Sequence, residues 1–205
     1  MADPFIVMPT PPRQASLHRR TAETDISLSL TIEGTGRSEV ATGIGFLDHM
    51  LTLFAKHSLI DLNVKALGDI HVDYHHTVED TGIVLGQALK EALGDKAGIV
   101  RYGSFYLPMD ETLSRVVVDL SGRPFLEYRG PEGVASIGQF SFTLVEEFLR
   151  GLANTLAANI HVEILYGRDA HHMAESVFKG LARALDAAMQ RDPRVVGIPS
   201  SKGQI

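Results

Sequence analysis

Between positions 24 and 33, Ile26, Leu28, Leu30 and Ile32 alternate with polar residues. A period of two predicts a strand with one buried face. The segment 16–21 alternates in the same way, and Gly34-Thr35-Gly36 turns the chain into a short strand at 38–42. The period then changes. Phe46, Leu47, Met50, Leu51, Leu53 and Phe54 recur at helical spacing, which predicts a helix over 45–57. A strand follows at 59–67, closed by Gly68-Asp69. A second helix spans 75–93, with Val78, Ile83, Val84, Leu85, Ala88, Leu89 and Leu93 on its buried side and Gly94-Asp95 as its stop.

The second half repeats the order, with strands at 103–109, 113–120 and 124–128, a helix at 141–157, a strand at 160–166 and a helix at 170–189. Each half reads as three strands, helix, strand, helix, an α+β fold of duplicated βββαβα units. His75, His76 and Glu79 recur as His171, His172 and Glu175, each 96 positions later (171−75, 172−76, 175−79). Duplication of one unit that buries its apolar face against its twin accounts for this. The organisation expected is an arm at 1–12, a first repeat at 13–97, a second at 98–192 and a tail at 193–205, forming one catalytic domain overall.

Composition narrows the chemistry. The 205 residues are 44% hydrophobic and 21% charged, an ordinary globular balance. The net charge of −6 gives no electrostatic support to a nucleic-acid or membrane-surface role, and no apolar run approaches the ~20 residues that span a bilayer. The first positions lack a basic segment followed by a long apolar one, so a soluble cytoplasmic protein is expected. With no cysteine and nine histidines, a metal would be held by His, Asp or Glu.

One His-His-x-x-Glu unit alone reads better as a solvated helix cap, because the motif is short. Two copies at matched repeat positions point instead to a pair of divalent ions. His76 and Glu79 are three apart and share a helix face, while His75 points about 100° away. The spacing therefore suggests His76, Glu79 and His171 on one ion, and His172, Glu175 and His75 on the other. A fourth ligand is expected from the helix before each motif, Asp48-His49 in the first half and Glu146-Glu147 in the second; Glu147 follows His49 by 98 positions (147−49). Asp48 and Glu146 can equally act as caps or as carboxylates that orient ligating histidines. Imidazole with carboxylate suits Mn, Fe, Zn or Co better than Ca or Mg. His18, His71 and His161 have no repeat-matched partner and read as structural or surface residues.

Several residues can grip an anion: Ser200, Ser201 and Lys202 in the tail, Arg123 at a strand turn, Arg101 where the repeats join, and Lys179 one turn after Glu175. Glu23, at the mouth of the first hairpin, is a candidate general acid or base, and His57 follows His49 by two helical turns. Singly, each Lys or Arg reads better as a solvated surface group and Glu23 as an exposed edge-strand carboxylate; their value depends on convergence at the metal site.

Six stretches carry a resemblance: GFLDHML (45–51), HHTVEDTGIVLGQAL (75–89), PMDETLSR (108–115), DLSGRP (119–124), LYGRDAHHMAE (165–175) and PSSKG (199–203). In this order they resemble the imidazoleglycerol-phosphate dehydratase family, metal-dependent carbon–oxygen lyases (hydro-lyases) of histidine biosynthesis. The resemblance implies two halves of the ribosomal protein S5 domain 2-like type, each a two-layer α/β sandwich. It also implies a 24-subunit homo-oligomer with two Mn2+ ions per active site between subunits. Metal ligands carried over by position are His49, His75, His76, Glu79, His171, His172 and Glu175, with Glu147 at a position that is often His in the family. Catalytic roles fall on Glu23, His49, His76, Glu79, His172 and Glu175. Substrate contacts fall on Glu23, His57, Arg101, Arg123, Lys179, Ser200, Ser201 and Lys202 as well as on the ligands. The implied reaction converts D-erythro-imidazoleglycerol phosphate into imidazoleacetol phosphate through a dimetal-bound imidazolate. Two other readings fit the residues themselves: a dinuclear hydrolase of a phosphorylated small molecule, and a non-catalytic oligomer with structural metals.

Overall fold

Ile26, Leu28 and Leu30 are buried as their alternation requires, and the serines between them face outward. They belong to a computed structural model that describes residues 12–205; the expected arm, apart from Pro12, lies outside the described residues. The first half contains β1 (Gln14–Arg20), β2 (Thr24–Thr31), β3 (Ser38–Ala41), α1 (Gly45–Ser58), β4 (Asp61–Gly68) and α2 (His75–Leu93). The second contains β5 (Tyr102–Met109), β6 (Thr112–Asp119), β7 (Phe125–Arg129), α3 (Leu144–Leu156), β8 (Asn159–Tyr166) and α4 (Ala170–Met189).

The two sheets have the same topology, β1-β2-β4-β3 and β5-β6-β8-β7. In each, the first three strands in spatial order are antiparallel and the edge strand β3 or β7 runs parallel to its neighbour. The fold is α+β, two similar sheet-and-helix halves. Helix α2 lies on β1 and β2, and α4 lies on β5 and β6. The halves meet helix to helix, and the pairing is crossed: α1 packs on α4, and α2 packs on α3. Phe54, Phe148, Phe178, Leu51, Leu85 and Leu89 are fully buried in the shared core, each contributing about 1.5–3 kcal/mol of burial.

Glycine permits the closest of these contacts. A Cβ on Gly86 would lie 2.6 Å from the carbonyl oxygen of Leu152, and one on Gly151 would lie 2.8 Å from that of Glu79. The helices α2 and α3 therefore touch almost backbone to backbone, and Thr155 Oγ1 donates to Ile83 O across the seam at 2.8 Å.

Element ends differ from the alternation pattern in an instructive way. The strand expected from 59 starts at Asp61, because Leu59 ends α1 in the left-handed region (φ 61°). Ala157 ends α3 in the same way (φ 55°), 98 positions later (157−59), so the duplication extends to the caps. The helix expected from 141 begins at Leu144. No helix among the described residues is long and apolar enough to cross a membrane.

Candidate metal centre

All the proposed ligands sit near helix starts. His49 is in the second turn of α1, His75, His76 and Glu79 open α2, Glu147 is in the first turn of α3, and His171, His172 and Glu175 open α4. Crossed packing then decides which of them meet. His49 of α1 joins not the motif of its own half but that of α4. Its Nε2 is 3.5 Å from Glu175 Oε2, and His171 Nε2 is 3.2 Å from the same oxygen. His49, His171 and Glu175 offer ligand atoms that all lie within 4.8 Å of one another, the one such group of three among the described residues. The ring of Phe46 packs edge-on against His171 at 5.2 Å and on Phe140 at 4.9 Å, holding the imidazole from behind.

Two imidazoles and a carboxylate suit a divalent transition-metal ion. Glu175 is only 6% exposed, and a buried carboxylate needs a counter-charge. Lys179, one turn on, forms an ion pair with Glu175 Oε1, leaving Oε2 turned to the histidines. Burial pushes the Glu175 carboxyl up, but the Lys179 ammonium and the His171 and His49 rings together hold it below the usual carboxylate range. It is therefore an anion ready to ligate.

The first-half motif is more open. His75 Nε2 lies 3.8 Å from Glu79 Oε2. Gly151 packs on the Glu79 backbone, so Glu147, one turn before it, lies at the same end of the α2–α3 pair. Its carboxylate faces Arg150 Nε at 3.8 Å. The triples expected from spacing, His76 with Glu79 and His171, and His172 with Glu175 and His75, do not assemble within one chain. In both motifs the glutamate meets the first histidine, four residues before it, rather than the second.

The second histidines are turned aside by carboxylates. His76 Nδ1 is 3.0 Å from Asp69 Oδ2, and His172 Nδ1 is 2.7 Å from Glu111 Oε2. These bonds raise both ring pKa values above the ordinary histidine value. Glu111 is held well below the usual range, first by the Asp169 N–H, then by His172 and the Arg168 N–H. Neither carboxylate stood out in the sequence. Glu111 lies 61 positions before its histidine (172−111) in the PMDETLSR stretch, and Asp69 reads as part of a strand-ending turn. Glu23 does approach the site, with Oε1 3.7 Å from His76 Nε2. Its hairpin is fastened to α2 by Thr24, whose hydroxyl bonds Asp80 Oδ2, and by Arg19, which pairs with the same oxygen at 2.6 Å.

Apart from Lys179, the anion grips form a separate group. Arg101 donates to Asp119 Oδ1 at 2.7 Å and to the carbonyl of Pro199 at 2.8 Å, which ties the tail to the repeat junction. Ser200 Oγ accepts the Lys202 N–H at 3.2 Å, while Ser201, Lys202 and Arg123 are exposed. Arg101 N–H bonds Ala188 O, thirteen residues beyond Glu175 on α4 (188−175), about 20 Å at the helical rise. Nearer the metal cluster, His57 is held below its ordinary pKa by burial and by the Lys179 and Arg183 cations, and Arg183 Nη1 lies 3.4 Å from the His57 carbonyl.

Comparison with known proteins agrees with this architecture. Residues 42–185 match the family model described as imidazoleglycerol-phosphate dehydratase. The protein of that name from Akkermansia muciniphila is 61% identical over 195 residues, covering 94% of this chain and 100% of the relative. Its counterpart from Methylorubrum extorquens is 58% identical over 194 residues, with coverage of 94% and 100%. Among solved structures, the Staphylococcus aureus imidazoleglycerol-phosphate dehydratase superposes with TM-score 0.79 at 41% identity, covering 87% of this chain and 99% of that one. The Pyrococcus furiosus structure, in complex with (S)-C348, gives TM-score 0.80 at 39% identity, covering 92% and 100%. By family match, by identity over nearly its whole length and by shared fold, the chain belongs to the imidazoleglycerol-phosphate dehydratase family.

Proposed function

We propose that this chain dehydrates D-erythro-imidazoleglycerol phosphate to imidazoleacetol phosphate in histidine biosynthesis, in the cytoplasm, using two Mn2+ ions per active site. The observation that carries this reading is the convergence of His49, His171 and Glu175 on one point in a chain of this family. Those three would hold one ion. His75 and Glu79, with Glu147 at the same end of the α2–α3 pair, would contribute to the other, and His76 and His172 supply further Nε2 donors. When bound, the cations supply Lewis-acid charge that favours the substrate's imidazole ring in its deprotonated form.

The chain's own residues do the rest. Glu23, beside His76, is placed to move a proton. Lys179 keeps Glu175 ionised and offers an ammonium to the substrate's oxygens, with His57 nearby. Arg101, Arg123, Ser200, Ser201 and Lys202 would hold the phosphate and position the carbon chain. The Arg101 backbone meets α4 about 20 Å beyond Glu175, far for a substrate of a few bond lengths to bridge within one chain. This separation supports sites shared between copies, in the 24-subunit homo-oligomer that family resemblance implies. No nucleic-acid or membrane partner is invoked.

The test is incubation of the Mn2+-loaded protein with imidazoleglycerol phosphate. A ketone product that retains phosphate is expected; release of inorganic phosphate would establish hydrolysis instead. His76→Ala should lose bound metal and turnover together, and retention of both would remove His76 from the site.

A further inference from the structure

The second histidine of each motif is held by a carboxylate, yet the two carboxylates are not repeat equivalents. Asp69 comes from the loop between β4 and α2, and Glu111 from the tip of the β5–β6 hairpin. The loop before α4 is shorter than the one before α2, and its Asp169 is used as the helix cap, accepting the His172 N–H at 3.1 Å. The hairpin supplies the missing carboxylate. Met109 pairs with Thr112, so Asp110 and Glu111 alone make the turn. Asp110 takes the left-handed conformation (φ 47°) usually left to glycine at the first turn position. Glu111 then does two things at once. Its Oε1 accepts the N–H groups of Arg168 and Asp169 at 3.1 and 2.9 Å, fixing the entry to α4, and its Oε2 faces His172 Nδ1.

An ionised carboxylate only accepts hydrogen bonds, so the facing Nδ1 must carry hydrogen. In the neutral ring the lone pair is then on Nε2, the atom a metal would use. We propose that Asp69 and Glu111 are positioning residues that fix the Nδ1–H tautomer of His76 and His172 and so present Nε2 of each to the divalent cations. This rests on the metal-ligand reading above and adds a requirement to it: two residues outside the ligand set decide whether two of the ligands can bind.

Glu111→Gln separates this role from general support of the fold. The carboxamide oxygen still accepts the Arg168 and Asp169 N–H groups, but its NH2 now faces Nδ1 and favours the Nε2–H tautomer. Nitrogen-15 imidazole spectra of the metal-free protein, recorded at alkaline pH where the ring is neutral, should show His172 exchanging tautomer. Mn2+ titration should show affinity falling about 10–100-fold, with the thermal midpoint of the metal-free protein, measured at the same alkaline pH, little changed. Asp69→Asn should do the same to His76, giving a second test at an independent site. An unchanged tautomer in both variants, or unchanged Mn2+ affinity in both while His172→Ala loses an ion, overturns the proposal. If His172→Ala itself keeps its full Mn2+ complement, the ligand reading fails first.

Discussion

Lys179 and Glu175 form an ion pair that divides the work of one carboxylate: Oε1 meets the ammonium and Oε2 faces His49 and His171. Lys179→Met should leave metal binding near neutral pH intact, because the bound ion itself supplies the counter-charge that the buried carboxylate needs. Turnover should fall by about 100-fold or more through loss of a substrate contact. Calorimetric Mn2+ titration alongside steady-state kinetics checks this, and a parallel loss of both would mean that Lys179 serves only to hold the ligand.

The α2–α3 seam leaves no room for side chains at its glycines. Gly86→Ala and Gly151→Ala should each destabilise the fold by about 1–3 kcal/mol through overpacking, a fall of roughly 2–4 °C in thermal midpoint per kcal/mol. Gly45 opens α1 with nothing within 4 Å of its added Cβ. Gly45→Ala should therefore be neutral or stabilising by about 0.4–1 kcal/mol. Thermal melts of the metal-free proteins distinguish the two classes.

Glu147 stands in α3 where His49 stands in α1. Glu147→Ala should lower the metal-to-chain ratio while the His49–His171–Glu175 ion stays bound. Glu147→His should restore the ratio and shift preference towards metals that favour imidazole, such as Zn over Mn. Elemental analysis after dialysis against each metal reads both outcomes. A full ratio in the alanine variant would place Glu147 outside the metal shell.

Stability of the metal-free protein should depend on pH through His76 and His172. Both rings have folded pKa values raised by their carboxylate bonds, first of all those to Asp69 and Glu111. The folded state therefore keeps protons that the unfolded chain has released. This contribution is fully present below the ordinary histidine value and is lost as pH rises through the raised one. Thermal midpoints of chelator-treated protein, measured from about pH 6 to about pH 8, should decline with this sign. Mn2+ should weaken the trend, since the ion requires neutral rings and displaces the protons.

Much of this molecule is legible in its sequence, because the signals are local. The alternation at Ile26–Ile32 and the helical spacing from Phe46 to Phe54 report burial directly, and the 96-residue offset reports the duplication. Pairing within the motif was less legible. Residues three and four apart both share a helix face, so the choice of His75 over His76 as the neighbour of Glu79 depends on Asp69 drawing His76 away. The partner of His49 was not legible either. Nothing local to α1 says that it packs on α4 rather than on the helix that follows it. Glu111 was hidden for the same reason, being brought to His172 only by a hairpin closing over the start of another helix.

The crossed helix pairing has an evolutionary consequence. A primitive chain with a single repeat could not have completed the three-residue cluster by itself, since the α1-type ligand and the α4-type motif come from different halves. It would have needed a second copy in the same embrace, with two identical sites by symmetry. Fusion would release that constraint: His49 and Lys179 stand in one pairing of the halves, whereas the repeat-equivalent positions carry Glu147 and Ile83. The two His-His-x-x-Glu motifs are thus descendants of one ancestor, free to take on unequal tasks.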